Sequence, residues 1–239
     1  MAKTQQPSNH IWTFLPGLHG TCELFEQIRE NISKNQPCEW VNLPGHSQQD
    51  YGTLSRWIDQ ELVQHQNQKR ILIAESFSGP LALKLASLRP QEITGVVLAA
   101  SFCDAPINPS IALLPLRPLF MMKPPRKALK HFLIGPDAAE ADITQLSKTV
   151  QSIHSSILSQ RVRAILELEE KESPQLKGLP MLILQAQNDN LIPWEAQQRL
   201  EARYPNARVH WIESPHLILQ RHPKSCLAKI TDFASSLQP

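Results

Sequence analysis

Apolar residues in this chain fall into short, nearly unbroken runs separated by stretches with a helical period. Residues 11–15, 40–43, 70–74, 93–100, 181–184 and 208–212 read as strands. Between them, apolar side chains recur three and four positions apart. One such set is Leu24, Phe25, Ile28 and Ile32, and another is Leu54, Trp57, Ile58, Leu62 and His65. The same spacing runs from Ser78 to Leu88 and over about 194–203 and 224–237. Strands without polar alternation belong in a sheet covered on both faces, and their alternation with helices predicts a mostly parallel α/β sheet of about six strands. From 104 to 178 the rhythm breaks. A proline-rich opening (Pro106, Pro109, Pro115, Pro118, Pro124, Pro125) leads into helix-like segments without a convincing strand. The expected organisation is a core of 1–103 and 179–239 with a helical cap, 104–178, inserted between two strands. A cap there would lie over the strands' carboxyl ends, where open α/β sheets take ligands. The alternative is a peripheral helical layer.

Composition narrows the classes. With 41% hydrophobic and 19% charged residues, the chain of 239 residues is globular. Lys+Arg 24 against Asp+Glu 22 leaves +2, no electrostatic basis for nucleic-acid binding. No run approaches the roughly 20 apolar residues of a membrane span, and MAKTQQPSNH lacks a secretory core, so a cytoplasmic protein is expected. Cys22, Cys38, Cys103 and Cys226 form no C-x-x-C pair and have no histidine at ligand spacing. They read as reduced thiols, and no motif implies a metal or an organic cofactor. Of only eight glycines, Gly17, Gly20, Gly45 and Gly79 lie in three short loops that follow apolar runs.

The third of these loops carries the candidate chemistry. Strand 70–74 passes through Ala74-Glu75-Ser76-Phe77-Ser78-Gly79 directly into a helix. This is a relaxed G-x-S-x-G nucleophile elbow, with small residues two before and two after the serine. Ser76 would project from the sheet edge, and the following helix amino end would favour developing negative charge. An ordinary serine N-cap is the competing reading. A serine hydroxyl needs a base held by a third group. Of nine histidines, His216 follows the final strand directly. Asp189, in the loop after the penultimate strand, is the candidate orienting acid, with Asp104 as the alternative; Glu75 adjoins the serine but should point away from it.

The order Ser76, Asp189, His216 resembles that of the α/β-hydrolase fold enzymes, and the similarity covers nearly the whole chain outside the cap. Residues 14–21, Phe-Leu-Pro-Gly-Leu-His-Gly-Thr, look like the family's oxyanion loop, with Pro16-Gly17 in place of His-Gly. Asn42-Leu43-Pro44-Gly45-His46 is similar to D-L-P-G-H, and Asp189 precedes Pro193 as in D-x-x-[VI]-P. The pair LPG-x-x-GT and ESFSGP resembles a bacterial subgroup of hydrolases. The resemblance implies an oxyanion hole from the backbone N–H groups of Leu18 and Phe77. With the first strand opening about ten residues into the chain, it also implies six parallel strands without the leading antiparallel hairpin.

That chemistry is acyl transfer, with a small-molecule acyl ester as substrate. Serine carboxylesterase is the leading reading; acyltransferase, thioesterase and a non-catalytic ligand-binding scaffold are the alternatives. His19, Leu114, Leu119, Phe120 and Met121 are candidates to line the cleft, unless the apolar cap segments only pack the cap onto the sheet. Arg117, Lys123, Arg126, Lys127 and Lys130 lie in a stretch, 117–130, without an acidic residue. This basic rim is either a solvated face or a site for an acidic acyl carrier protein. The second option resembles the biotin-pathway esterases that cleave pimeloyl-carrier-protein methyl ester.

Overall fold

Six strands lie parallel in the order β2-β1-β3-β4-β5-β6. They are β1 (Ile11–Leu15), β2 (Cys38–Trp40), β3 (Arg70–Glu75), β4 (Ile93–Ala99), β5 (Met181–Ala186) and β6 (Arg208–Ile212). The computed structural model describes residues 10–46, 48–63, 68–107 and 116–237. This is the α/β-hydrolase fold.

Strand alternation divides the core into two layers. Leu72 and Ala74 of β3, Val96 and Leu98 of β4, and Ile183 of β5 point to one face. There they meet Leu54, Ile58 and Leu62 of α2 (Tyr51–Val63), α3 (Gly79–Leu88), and Ala196 and Leu200 of α8 (Trp194–Arg203). Ile71, Ile73, Val97, Ala99 and Leu184 point to the other face. That face is covered by Ile28 of α1 (Glu26–Asn31), Ile218 and Leu219 of α9 (Ile218–Arg221), and Cys226, Ile230 and Phe233 of α10 (Pro223–Ser235). Both faces of the central strands are therefore dry, which is why their sequence lacks alternation. Each fully buried Leu or Ile contributes about 2 kcal/mol. Helix starts are local: the Thr53 amide donates to Asp50 Oδ1 at 2.8 Å before α2, and Pro223 opens α10.

One strand is displaced from its expected place. The run 40–43 predicts a strand there, whereas β2 ends at Trp40. The Val41 amide still reaches Phe14 O of β1 at 3.1 Å, and from Asn42 onward the residues leave the ladder to tie loops together. Asn42 Oδ1 accepts the Cys22 amide at 2.7 Å, and the Leu43 amide donates to the Gly20 carbonyl at 2.7 Å. Side-chain and loop partners replace the strand register.

Between β4 and β5 the described residues form no strand. They carry α4 (Leu116–Met121), α5 (Arg126–Leu129), a π turn at Lys130–Ile134, α6 (Glu140–Ser152) and α7 (Ser155–Leu166). This insertion touches loops at the strands' carboxyl ends: the Leu217 amide donates to the Leu133 carbonyl at 3.0 Å, and Asn190 Nδ2 to the His131 carbonyl at 2.9 Å. Among the described residues no helix is long and apolar enough to cross a membrane.

The start of α3 shows how tightly the strand-to-helix turn is built. A Cβ on Gly79 would stand 1.8 Å from Ser101 Oγ and 2.9 Å from Ser101 Cβ, both buried. Gly79→Ala is expected to destabilise the protein by about 2–3 kcal/mol, read as a lowered urea midpoint at unchanged slope.

Candidate active site

The carboxyl ends of β3, β5 and β6 bring three distant residues together. Ser76 follows β3 with φ 49°, a left-handed conformation that a non-glycine residue adopts only when its surroundings hold it. Ser101 Oγ donates to the Ser76 carbonyl at 2.7 Å, and Ser78 Oγ donates to the Pro16 carbonyl, joining the turn to the loop after β1. Beyond β5 and β6 the two loops remain paired: the Gln187 amide donates to Ile212 O at 2.9 Å and the Asn188 amide to Ser214 O at 3.0 Å. That pairing delivers Asp189 and His216 side by side.

His216 Nε2 is 2.9 Å from Ser76 Oγ, and His216 Nδ1 is 2.7 Å from Asp189 Oδ2. The carboxylate only accepts, so Nδ1 carries the proton and Nε2 accepts from the serine hydroxyl. The other oxygen of Asp189 accepts the amides of Leu191 at 2.8 Å and Ile192 at 2.9 Å, fixing the carboxylate plane. His216 is 1% exposed and Ser76 8%. Burial disfavours the imidazolium, but the charge and hydrogen bond of Asp189, joined by the charge of Glu75, outweigh it and hold His216 above its ordinary 6.5. A hydroxyl so placed can be deprotonated as it attacks an electrophilic carbon. Asp104, the alternative acid, instead pairs with Arg199, Oδ2 to Nε at 2.6 Å.

Leu18 lies in the loop after β1, where the Gly20 amide closes a turn on the Gly17 carbonyl at 2.9 Å. Phe77, fully buried, stacks on Tyr51 with ring centroids 5.0 Å apart. His19 is buried beside Gly17. Burial, aided by the Arg161 charge and opposed by a hydrogen bond to the Thr21 backbone, pulls its imidazole down to about 4. Its Nε2 has no hydrogen-bond partner among the described residues.

The cleft candidates of the insertion separate. Phe120 on α4 is half-buried, but Met121 is 71% exposed and its neighbour Met122 72%. Met121 therefore faces solvent, turned about 100° round the helix from Phe120. Leu119 lies on α4, and Leu114 falls outside the described residues. The basic rim also divides. Arg126 and Lys130 both pair with Glu140, the latter at 3.5 Å. Arg117, Lys123 and Lys127 are exposed and have no ion pair among the described residues.

Sequence reasoning missed Arg161. From α7 its buried guanidinium donates to Gln49 Oε1 at 2.8 Å, Leu18 O at 2.9 Å and Pro44 O at 3.2 Å. It thereby joins the insertion to the loops after β1 and β2. It also explains Gly20, which has φ +78° and whose added Cβ would meet Arg161 Nη1 at 2.1 Å. Burial lowers the guanidinium to about 10, so it remains a cation beside the loop that carries Leu18. Nothing in the pattern around Arg161, an ordinary polar position on an amphipathic helix, marks it in advance. Among the described residues no group of three or more His, Cys, Asp or Glu side chains could hold a metal ion.

Comparison with known proteins places this geometry in context. The family model described as serine aminopeptidase, S33, matches residues 43–218. A curated relative, the biotin biosynthesis bifunctional protein BioHC of Cellvibrio japonicus (strain Ueda107), is 25% identical over 226 residues, covering 89% of this chain and 45% of that protein. The chain thus spans about half the length of this relative. An esterase from Exiguobacterium antarcticum superposes with a TM-score of 0.84 at 15% identity, covering 97% of this chain and 94% of that one. A hydrolase from Pseudomonas aeruginosa PA01 gives 0.81 at 13% identity over 99% and 92%. MenH from S. aureus gives 0.74 at 15% over 96% and 95%.

The raised imidazole has a kinetic consequence. A Ser76 hydroxyl activated by His216 as base would react with a fluorophosphonate only while the imidazole is neutral. The labelling rate is therefore expected to fall about tenfold per pH unit on the acid side, with a midpoint above 6.5, when measured against pH.

Proposed function

The chain belongs to the serine aminopeptidase S33 family of α/β-hydrolase-fold hydrolases, and on that premise we propose that it is a serine carboxylesterase. The observation that carries this reading is the continuous hydrogen-bonded line from Asp189 through His216 to Ser76. Ser76 Oγ attacks the ester carbonyl carbon while His216 Nε2 takes its proton. The carbonyl oxygen becomes an oxyanion facing the amides of Leu18 and Phe77, each such donor contributing about 3 kcal/mol to the transition state. Collapse of the tetrahedral adduct breaks the bond to the leaving oxygen, which takes the proton from His216. Water, deprotonated by the same imidazole, then releases the acid and restores Ser76. Asp189 keeps the proton on Nδ1 and stabilises the imidazolium. His19, neutral and with its Nε2 unpartnered among the described residues, offers a hydrogen bond to the bound ester. The helical insertion acts as the cap over this site, docked through Arg161.

The substrate reading favoured here is an acyl chain delivered by a carrier protein, with a pimeloyl methyl ester as the leading candidate. Its support is the likeness to BioHC together with the exposed cations Arg117, Lys123 and Lys127 on the insertion, which have no ion pair among the described residues. Acidic carrier proteins complement such a rim.

Hydrolysis of p-nitrophenyl esters from two to sixteen carbons tests the reaction: Ser76→Ala is expected to lose on the order of 10⁴-fold or more in kcat. Equal rates in the two proteins would reject Ser76 as nucleophile. Expression in an esterase-deficient biotin auxotroph tests the substrate; growth without biotin is expected, and a well-expressed copy that fails to support growth excludes it.

A further inference from the structure

Glu75 ends β3 and adjoins Ser76, yet its side chain follows Ile71 and Ile73 toward α9 and α10. It is fully buried. Oε2 accepts from Gln220 Nε2 at 3.2 Å, the Gly17 amide also donates to the carboxyl, and Oε1 has no hydrogen-bond partner among the described residues. The space is tight, since a Cβ on Gly17 would sit 3.4 Å from Oε2. A buried carboxylate held only by neutral donors is costly unless a cation forms within reach. The neighbouring titratable groups do not supply one. The thiols of Cys22, before α1, and Cys226, on α10, are pushed up to about 12 by burial and stay neutral, and His19 beside Gly17 is neutral at about 4. Among the described residues the positive partner of Glu75 is the imidazolium of His216, which interacts with it through its charge.

We propose that Glu75 is a positioning residue. From behind the nucleophile it ties the Gly17 end of the oxyanion loop to α9, and its negative charge favours the protonated imidazole of His216. α9 begins two residues after His216, so the Glu75 carboxyl links the loop carrying Leu18 to the segment carrying the base. When His216 takes the serine proton, Glu75 adds to the stabilisation that Asp189 provides. Burial pushes Glu75 itself up to about 7, and each group's charge favours the ionised form of the other.

This role rests on the esterase reading of Ser76 and His216, but its test does not require turnover. The His216 ring Cε1–H is followed against pH by NMR in the wild type, in the isosteric Glu75→Gln and in Glu75→Asp. Removing the charge in Glu75→Gln is expected to lower the His216 midpoint by roughly 0.5–1 pH unit, and the acid limb of fluorophosphonate labelling moves with it. Glu75→Asp keeps the charge, so its midpoint stays on the wild-type side of that shift. Its shorter arm withdraws from Gly17, and the labelling rate on the plateau falls several-fold. A Glu75→Gln midpoint within about 0.2 unit of the wild type overturns the proposal. If wild-type Ser76 fails to label at any pH, the esterase reading falls, while the NMR midpoints still decide the role of Glu75.

Discussion

The left-handed turn at Ser76 is the constraint on which the remainder of the molecule depends. A serine at φ 49° costs on the order of 1–3 kcal/mol, and the cost is met by contacts from neighbouring elements. Ser101, delivered by a second left-handed residue, Ala100 at φ 44°, holds the Ser76 carbonyl. Gly79 leaves room for Ser101 between α3 and β4, and Ser78 secures Pro16. Two adjacent parallel strands therefore end in strained turns that brace each other. The rigidity comes from the dry strands beneath them, whose side chains are buried on both faces.

Polar groups buried around this turn are arranged by sign. Cationic Arg161 stands on the insertion side, against Leu18 O, Pro44 O and Gln49. The acids Asp189 and Glu75 stand on the side of the imidazole and both favour its protonated form. A reaction that moves a proton onto His216 while negative charge builds near Leu18 separates charge in the sense this arrangement favours. The thiols and His19, interspersed among these groups, are driven neutral by burial and do not blur that polarity.

The insertion has two distinct relations to the sheet. Through Arg161, Leu133 and His131 it is bound to the loops after β1, β2, β5 and β6. At the end of α4 it turns outward, exposing Met121 and Met122 beside the exposed Lys123. One part of the same segment thus braces loops around Ser76 and another faces solvent.

Local pattern was enough for the α/β architecture and for the order of its elements, because a strand buried on both faces must be apolar throughout and a one-sided helix must repeat near 3.6 residues. It also singled out Ser76, Asp189 and His216, since each directly follows a strand and their chain positions are independent of side-chain detail. It misjudged β2, where Asn42 and Leu43 exchange ladder bonds for loop bonds with Cys22 and Gly20, and it read Met121 as inward although the helix phase turns it out. Arg161 carries no signal in the sequence, and Glu75 reads there only as an acid adjoining Ser76 that should point away from it. A charged residue on an amphipathic helix or after a strand is ordinarily solvated, and only tertiary packing removes the water and selects its partners. Sequence alone determined which residues reach the carboxyl edge of the sheet. The folded structure decided which of them touch, which are stripped of solvent and which charges they must share, because those depend on distances between segments far apart in the chain.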